Sequence, residues 1–179
     1  MIEALLMAGG MMGARIKSMQ RGLVTFLNGQ SISQTISISP VNLQNTLFIF
    51  QVGTHSSNFR DVAVPSSVAE NQITFTRGSY TDTVETSWIA IELEGIAAVH
   101  RREIVISSGF FNQVIDLTEV SDKAKCFVIP YVKSSYKSNE FSSVQMTVDM
   151  DAFTDNRIVL RRGDADINIT VGLQIVEFL

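Results

Sequence analysis

Apolar and polar residues alternate along most of this chain with a period of two, in short runs. The first half reads "LVTF" (23–26), "QTISISP" (34–40), "TLFIFQV" (46–52), "FRDVAV" (59–64), "QITFTR" (72–77) and "VETSWIAIEL" (84–93). Each run is rich in Ile, Val, Thr and Phe and is bounded by Asn, Gly or Ser, which predicts half-buried β-strands joined by polar turns. After residue 20 no stretch keeps helical spacing over the roughly dozen residues a helix needs. The expected class is all-β.

The second half repeats the series as "EIVI" (103–106), "QVIDLTEV" (113–120), "CFVIPYV" (126–132), "SVQMTVDM" (143–150), "NRIVLRR" (156–162) and "INITVGLQIVEFL" (167–179). Set against each other, "QRGLVTFLNG" and "HRREIVISSG" place Arg21 on Arg101 and Gly29 on Gly109, an offset of 80. A second block pairs Gln34 with Gln113, Val41 with Val120 and Phe48 with Phe127 at an offset of 79. A third pairs Arg77 with Arg162, Gly78 with Gly163 and Glu92 with Glu177 at an offset of 85. Offsets that change only across loops mark an internal duplication.

The chain therefore divides into an apolar N-terminal arm, 1–13, a first copy, 14–95, and a second copy, 96–179. About six short strands per copy fit a two-sheet antiparallel sandwich better than a closed barrel, so the expected architecture is two tandem β-sandwich domains. "TLFIFQV" and "CFVIPYV" are apolar on both faces and read as central strands. One face fills the core; the other needs cover from the sister domain or a second subunit. Pro130 lacks a ladder donor, which places it at an edge or a bulge.

Composition narrows what such a chain does. With 45% apolar and only 18% charged residues, it has the weakly charged surface of a subunit in a larger assembly. A net charge of −4 and isolated basic pairs, Arg101-Arg102 and Arg161-Arg162, argue against nucleic acid as a partner. No run reaches the roughly 18 apolar residues a membrane span needs, so no membrane partner is expected. The arm "MIEALLMAGGMMGAR" has no basic leader and is interrupted by Gly9-Gly10. Its Ile2, Leu5, Leu6, Met7, Met11 and Met12 are the candidate assembly contacts.

Candidate chemistry is sparse. The single cysteine, Cys126, lies in an apolar run and reads as a small core residue, with no disulfide or thiolate metal site. The histidines His55 and His100 occupy unmatched positions in the two copies. Asp164 and Asp166 in "GDADIN" read as a solvated turn, and no phosphate loop, paired-histidine motif or metal cluster stands out. No catalytic residue, metal or cofactor is expected. The candidate binding residues lie where loops are predicted: His55, Asn58, Phe59 and Arg60 in one, Tyr131 and Tyr136 in its counterpart "YVKSSYKSNEF". The repeated Arg77 and Arg162 are the remaining candidates, with a role in holding a carboxylate or backbone carbonyls.

Two resemblances arise on these residues. "RIKSMQRGLVTF", "ITFTRG" and "SWIAIEL", with "NRIVLRRG" and "LQIVEFL" in the second copy, resemble a module of tailed-bacteriophage virion proteins. The same plan is similar to the six-stranded sandwich of H-type lectins, although Thr76, Arg77, Gly78 and Ser79 stand where those proteins carry sugar contacts. The first resemblance implies a non-enzymatic virion protein, assembled in the host cytoplasm, of the capsid-decoration or cement type. Its partners would be its own copies and major capsid or tail proteins, with the homotrimer implied by the likeness to H-type lectins, which commonly form trimers. The second implies an alternative, a tail-fibre or receptor-binding module that takes a host surface glycan. A polysaccharide hydrolase needs paired carboxylates in a cleft, and no two acidic residues suggest them.

Overall fold

A computed structural model of the protein describes residues 13–54, 62–78, 82–135, 146–152, 155–163, 165 and 168–179. The first half contributes β1 (Arg15–Phe26), β2 (Ser33–Ser37), β3 (Thr46–Thr54), β4 (Val64–Ala69), β5 (Gln72–Thr76) and β6 (Val84–Glu94). The second contributes β7 (Ile96–Ile106), β8 (Asn112–Asp116), β9 (Cys126–Ser135), β10 (Met146–Asp149), β11 (Arg157–Arg162) and β12 (Ile169–Phe178). Each half holds two antiparallel three-stranded sheets. Sheet A has the order β1-β6-β3 and sheet B the order β2-β5-β4, while sheet C is β7-β12-β9 and sheet D is β8-β11-β10. The fold is all-β, two sandwich-like halves with open sheets.

Alternation explains the packing. Val24, Phe26, Phe48, Ile73, Phe75 and Trp88 point inward between sheets A and B, and Ile106, Ile115, Leu117, Ile158, Leu160 and Leu173 do the same between C and D. At roughly 1.5–3 kcal/mol per fully buried large apolar side chain, each core is a main source of stability for its half. Only Gly95 separates β6 from β7, with φ at +73°. An added Cβ there would run into the backbone of Gly13, so this short junction requires glycine on two counts.

Register carries the duplication down to single residues. Arg21 lies opposite Ile89 as Arg101 lies opposite Gln174, and both ladders bulge at the same place, past Ile16 in β1 and past Ile96 in β7. One expected pairing is corrected. Leu47 faces Ile91 where Phe127 faces Val176, so the counterpart of Phe127 is Leu47, not Phe48. A one-residue slip moves a side chain to the other face of a strand. Phe48 fills the first core, whereas Phe127 and Leu47 share a third apolar cluster. The extra residue is Ser121, between the matched Val120 and the matched 3-10 turns Leu43–Asn45 and Lys123–Lys125.

Two further expectations change. "TLFIFQV" and "CFVIPYV" are not central: β3 and β9 are edge strands, and the central strands are β6 and β12. Apolarity on both faces has the cause expected, cover of the outer face by the sister half. The strand expected over 59–64 instead begins at Val64 and runs to Ala69, bulging where Pro65 meets Phe75. Pro130 sits in edge strand β9, as its missing donor requires.

Candidate functional site

The repeated arginines are turned inward. Arg77 is buried, stacks over the Phe26 ring at 5.1 Å, and donates to the carbonyls of Asp82 (2.6 Å), Leu27 (2.8 Å) and Gln30 (3.1 Å). Arg162 is buried in the matching place and donates to Phe110 (2.7 Å), Ser107 (2.7 Å) and Ala165 (3.3 Å). A guanidinium has five donors in a rigid fork, enough to fasten a turn by its carbonyls. What these two residues bind is the chain itself, at the β1–β2 and β7–β8 turns.

The repeated glutamates also serve the scaffold. Glu92 accepts from Lys17 Nζ at 2.8 Å and the Ser18 hydroxyl at 3.1 Å; the Lys17 bond is the chief reason its carboxyl is held below the ordinary glutamate value. Glu177 accepts from the Ser121 N–H (2.8 Å) and hydroxyl (2.7 Å), with His100 Nε2 at 3.0 Å. Burial pushes Glu177 up, but the bonds from Ser121 and His100 outweigh it and hold the carboxyl below its ordinary value. Cys126 is half-buried, donates to Asp122 O at 3.3 Å, and is pushed up to about 12, first by burial and then by Glu177. So raised, the thiol stays protonated at neutral pH.

The most elaborate arrangement joins the two halves. Strand β3, an edge of sheet A, lies across the outer face of sheet C. Arg101 on β7 donates to the carbonyls of Leu43 and Thr46. Gln174 on β12, only 1% exposed, accepts from Phe48 N–H at 2.8 Å and donates to Phe48 O at 2.6 Å. Tyr131 on β9 meets the Phe50 ring at 5.4 Å. Steps of two along β3 thus cross β7, β12 and β9 in turn. Edge-strand amides that would otherwise be open to pairing with a stranger are consumed by side chains of the sister sheet. Gly172 makes room for this: a Cβ there would collide with the Tyr131 ring. Below the crossing, Leu47, Ile91, Leu93, Val99, Val176 and Phe178 form a continuous apolar seam.

Tyr131 therefore belongs to a strand and to this joint, and not to a polar loop as expected. Burial pushes its hydroxyl up, partly offset by Arg101. His55, Asn58, Phe59, Arg60 and Tyr136 lie outside the described residues, as do the arm residues Ile2, Leu5, Leu6, Met7, Met11 and Met12. Between the halves is a cleft of about 420 Å³, lined by Val64, Ser66 and Arg77 on one side and by the ion-paired Glu103 and Lys133 on the other. Gln174 escapes a reading of the repeat because its counterpart is Ile89; Arg101 was visible as the partner of Arg21, without its role.

What the fold and this joint define is a class, an all-β protein of two like halves fastened edge on face. No protein-family model, curated protein or solved structure matches the chain.

Proposed function

We propose that the protein is a non-enzymatic structural subunit of a tailed-phage particle, of the capsid-decoration or cement type, working as a homotrimer. The observation that carries the structural role is the use made of polar groups. The seven buried hydrophilic side chains among the described residues, Thr46, Arg77, Thr86, Glu92, Arg162, Gln174 and Glu177, are bonded within the chain, while the buried Trp88 indole N–H has no hydrogen-bond partner. Such groups fasten a scaffold. The phage setting is supported by the resemblance of the Gln-Arg-Gly strand of the first copy and of the Arg-Gly turns and terminal Glu-containing strands present in both copies, and attachment to the particle is assigned to the arm, residues 1–13.

The test is reconstitution. Capsids assembled without this chain are mixed with the purified protein and with a variant lacking residues 1–13. The full chain should bind saturably at repeated sites, while the shortened one keeps its β-sheet circular dichroism and fails to attach. Absence of capsid binding by the full chain, together with saturable binding on a glycan array, would replace this reading with the lectin-like one.

A further inference from the structure

The joint between the halves is heterologous: the first copy supplies an edge, β3, and the second a face, the outer side of sheet C. Each copy therefore retains the element its sister used. The first copy still has the β1 strip of the outer face of sheet A, whose Leu47, Ile91 and Leu93 are already buried in the seam. The second still has the edge formed by the 3-10 turn Lys123–Lys125 and β9.

These leftover surfaces match the used ones residue by residue. On β7 the outward residues Val99 and Arg101 lie under the joint, Val99 at 4% exposed, while the Glu103 side chain beyond them is 55% exposed. Their register counterparts on β1 are Met19, Arg21 and Leu23. Met19 and Leu23 are 58% and 56% exposed, and Arg21 is exposed beside them. Met19 and Arg21 are thus exposed at the positions the joint covers in the sister copy, with apolar Leu23 exposed beside them, and such a strip marks a seat. On the edge side, Asp122 caps its 3-10 turn as Asn42 caps the other, accepting from Ala124 N–H at 2.9 Å where Asn42 accepts from Gln44 N–H at 3.0 Å. Lys123 O and Cys126 O thus stand where Leu43 O and Thr46 O stand for Arg101.

We propose that the outer face of sheet A, through Met19, Arg21 and Leu23, seats the Lys123–Lys125 turn and β9 edge of a second copy of this chain. This rests on the reading of the chain as a self-assembling subunit. Arg21 donates to the neighbour's Lys123 and Cys126 carbonyls, as Arg101 does within the chain. One position departs from the template: Ile89 replaces Gln174, so the contact between chains relies on Arg21 and apolar burial and is weaker than the joint within a chain. A heterologous contact of this kind closes into a ring or runs on as a filament. In a trimer, six halves would alternate joints within and between chains.

The test uses the full chain. Sedimentation equilibrium compares wild type with Arg21→Glu and, separately, Met19→Lys, both at exposed positions, with circular dichroism as the folding control. Each should weaken self-association about tenfold or more. Independently, benzoylphenylalanine in place of Leu23, irradiated in a mixture of isotope-labelled and unlabelled chains, should give adducts between chains at residues 122–130. Association unchanged by both substitutions, or adducts confined to other segments, overturns the seat while leaving self-assembly standing. A wild type monomeric at every concentration overturns both.

Discussion

Glu177 shows how one residue links sequence to acid stability. Its carboxyl is held below the ordinary glutamate value of 4.5 in the folded chain, so the stability it contributes is present above that value and is lost as pH falls below it. Glu177→Gln should unfold at lower temperature than wild type at pH 7, and the gap should close as pH drops beneath about 4.5. Thermal melts across pH check both. Arg162 makes the complementary point about geometry. Arg162→Lys should cost about 1–3 kcal/mol in denaturant unfolding, because an ammonium cannot span the carbonyls of Phe110, Ser107 and Ala165 that one guanidinium reaches. Recovery of wild-type stability by lysine would mean the fork is irrelevant. Repetition had singled out Arg77, Arg162, Glu92 and Glu177; their targets, mostly backbone groups of distant turns, are not encoded in any local pattern.

At the scale of elements, alternation revealed the strands well and their neighbours poorly. β5, β6, β11 and β12 run close to their predicted positions, since their apolar periods are clean. β3 and β9 look central because both faces are apolar, and apolarity alone does not distinguish a central strand from an edge strand whose outer face the sister half covers. The misassigned pairing of Phe48 with Phe127 has the same origin. Two phenylalanines aligned by type hid the inserted Ser121, and only the ladder register separates core from seam. The β3 crossing is the element on which the two halves depend most. Gln174→Leu keeps the volume and strands Phe48 N–H and O, so it should destabilise the chain by about 1–3 kcal/mol for each group left unpaired. Hydrogen exchange should show the loss first at Phe48, ahead of Phe75 in the neighbouring core.

For the whole molecule, duplication is the organising fact. One module appears twice, joined by Gly95, and the second copy grips the edge of the first with Arg101 and Gln174, of which the first copy keeps the arginine, Arg21, exposed on its own surface. Within the chain the joint is completed by Gln174 and Arg101; between chains Arg21 and its apolar neighbours remain to repeat it. In the proposed assembly the chain builds by copying its own internal joint. Sedimentation equilibrium of the intact wild-type chain at micromolar concentrations tests this most directly. A reversible species of three times the 19.8 kDa chain mass is expected. A monodisperse species at the mass of one chain throughout that range would contradict it.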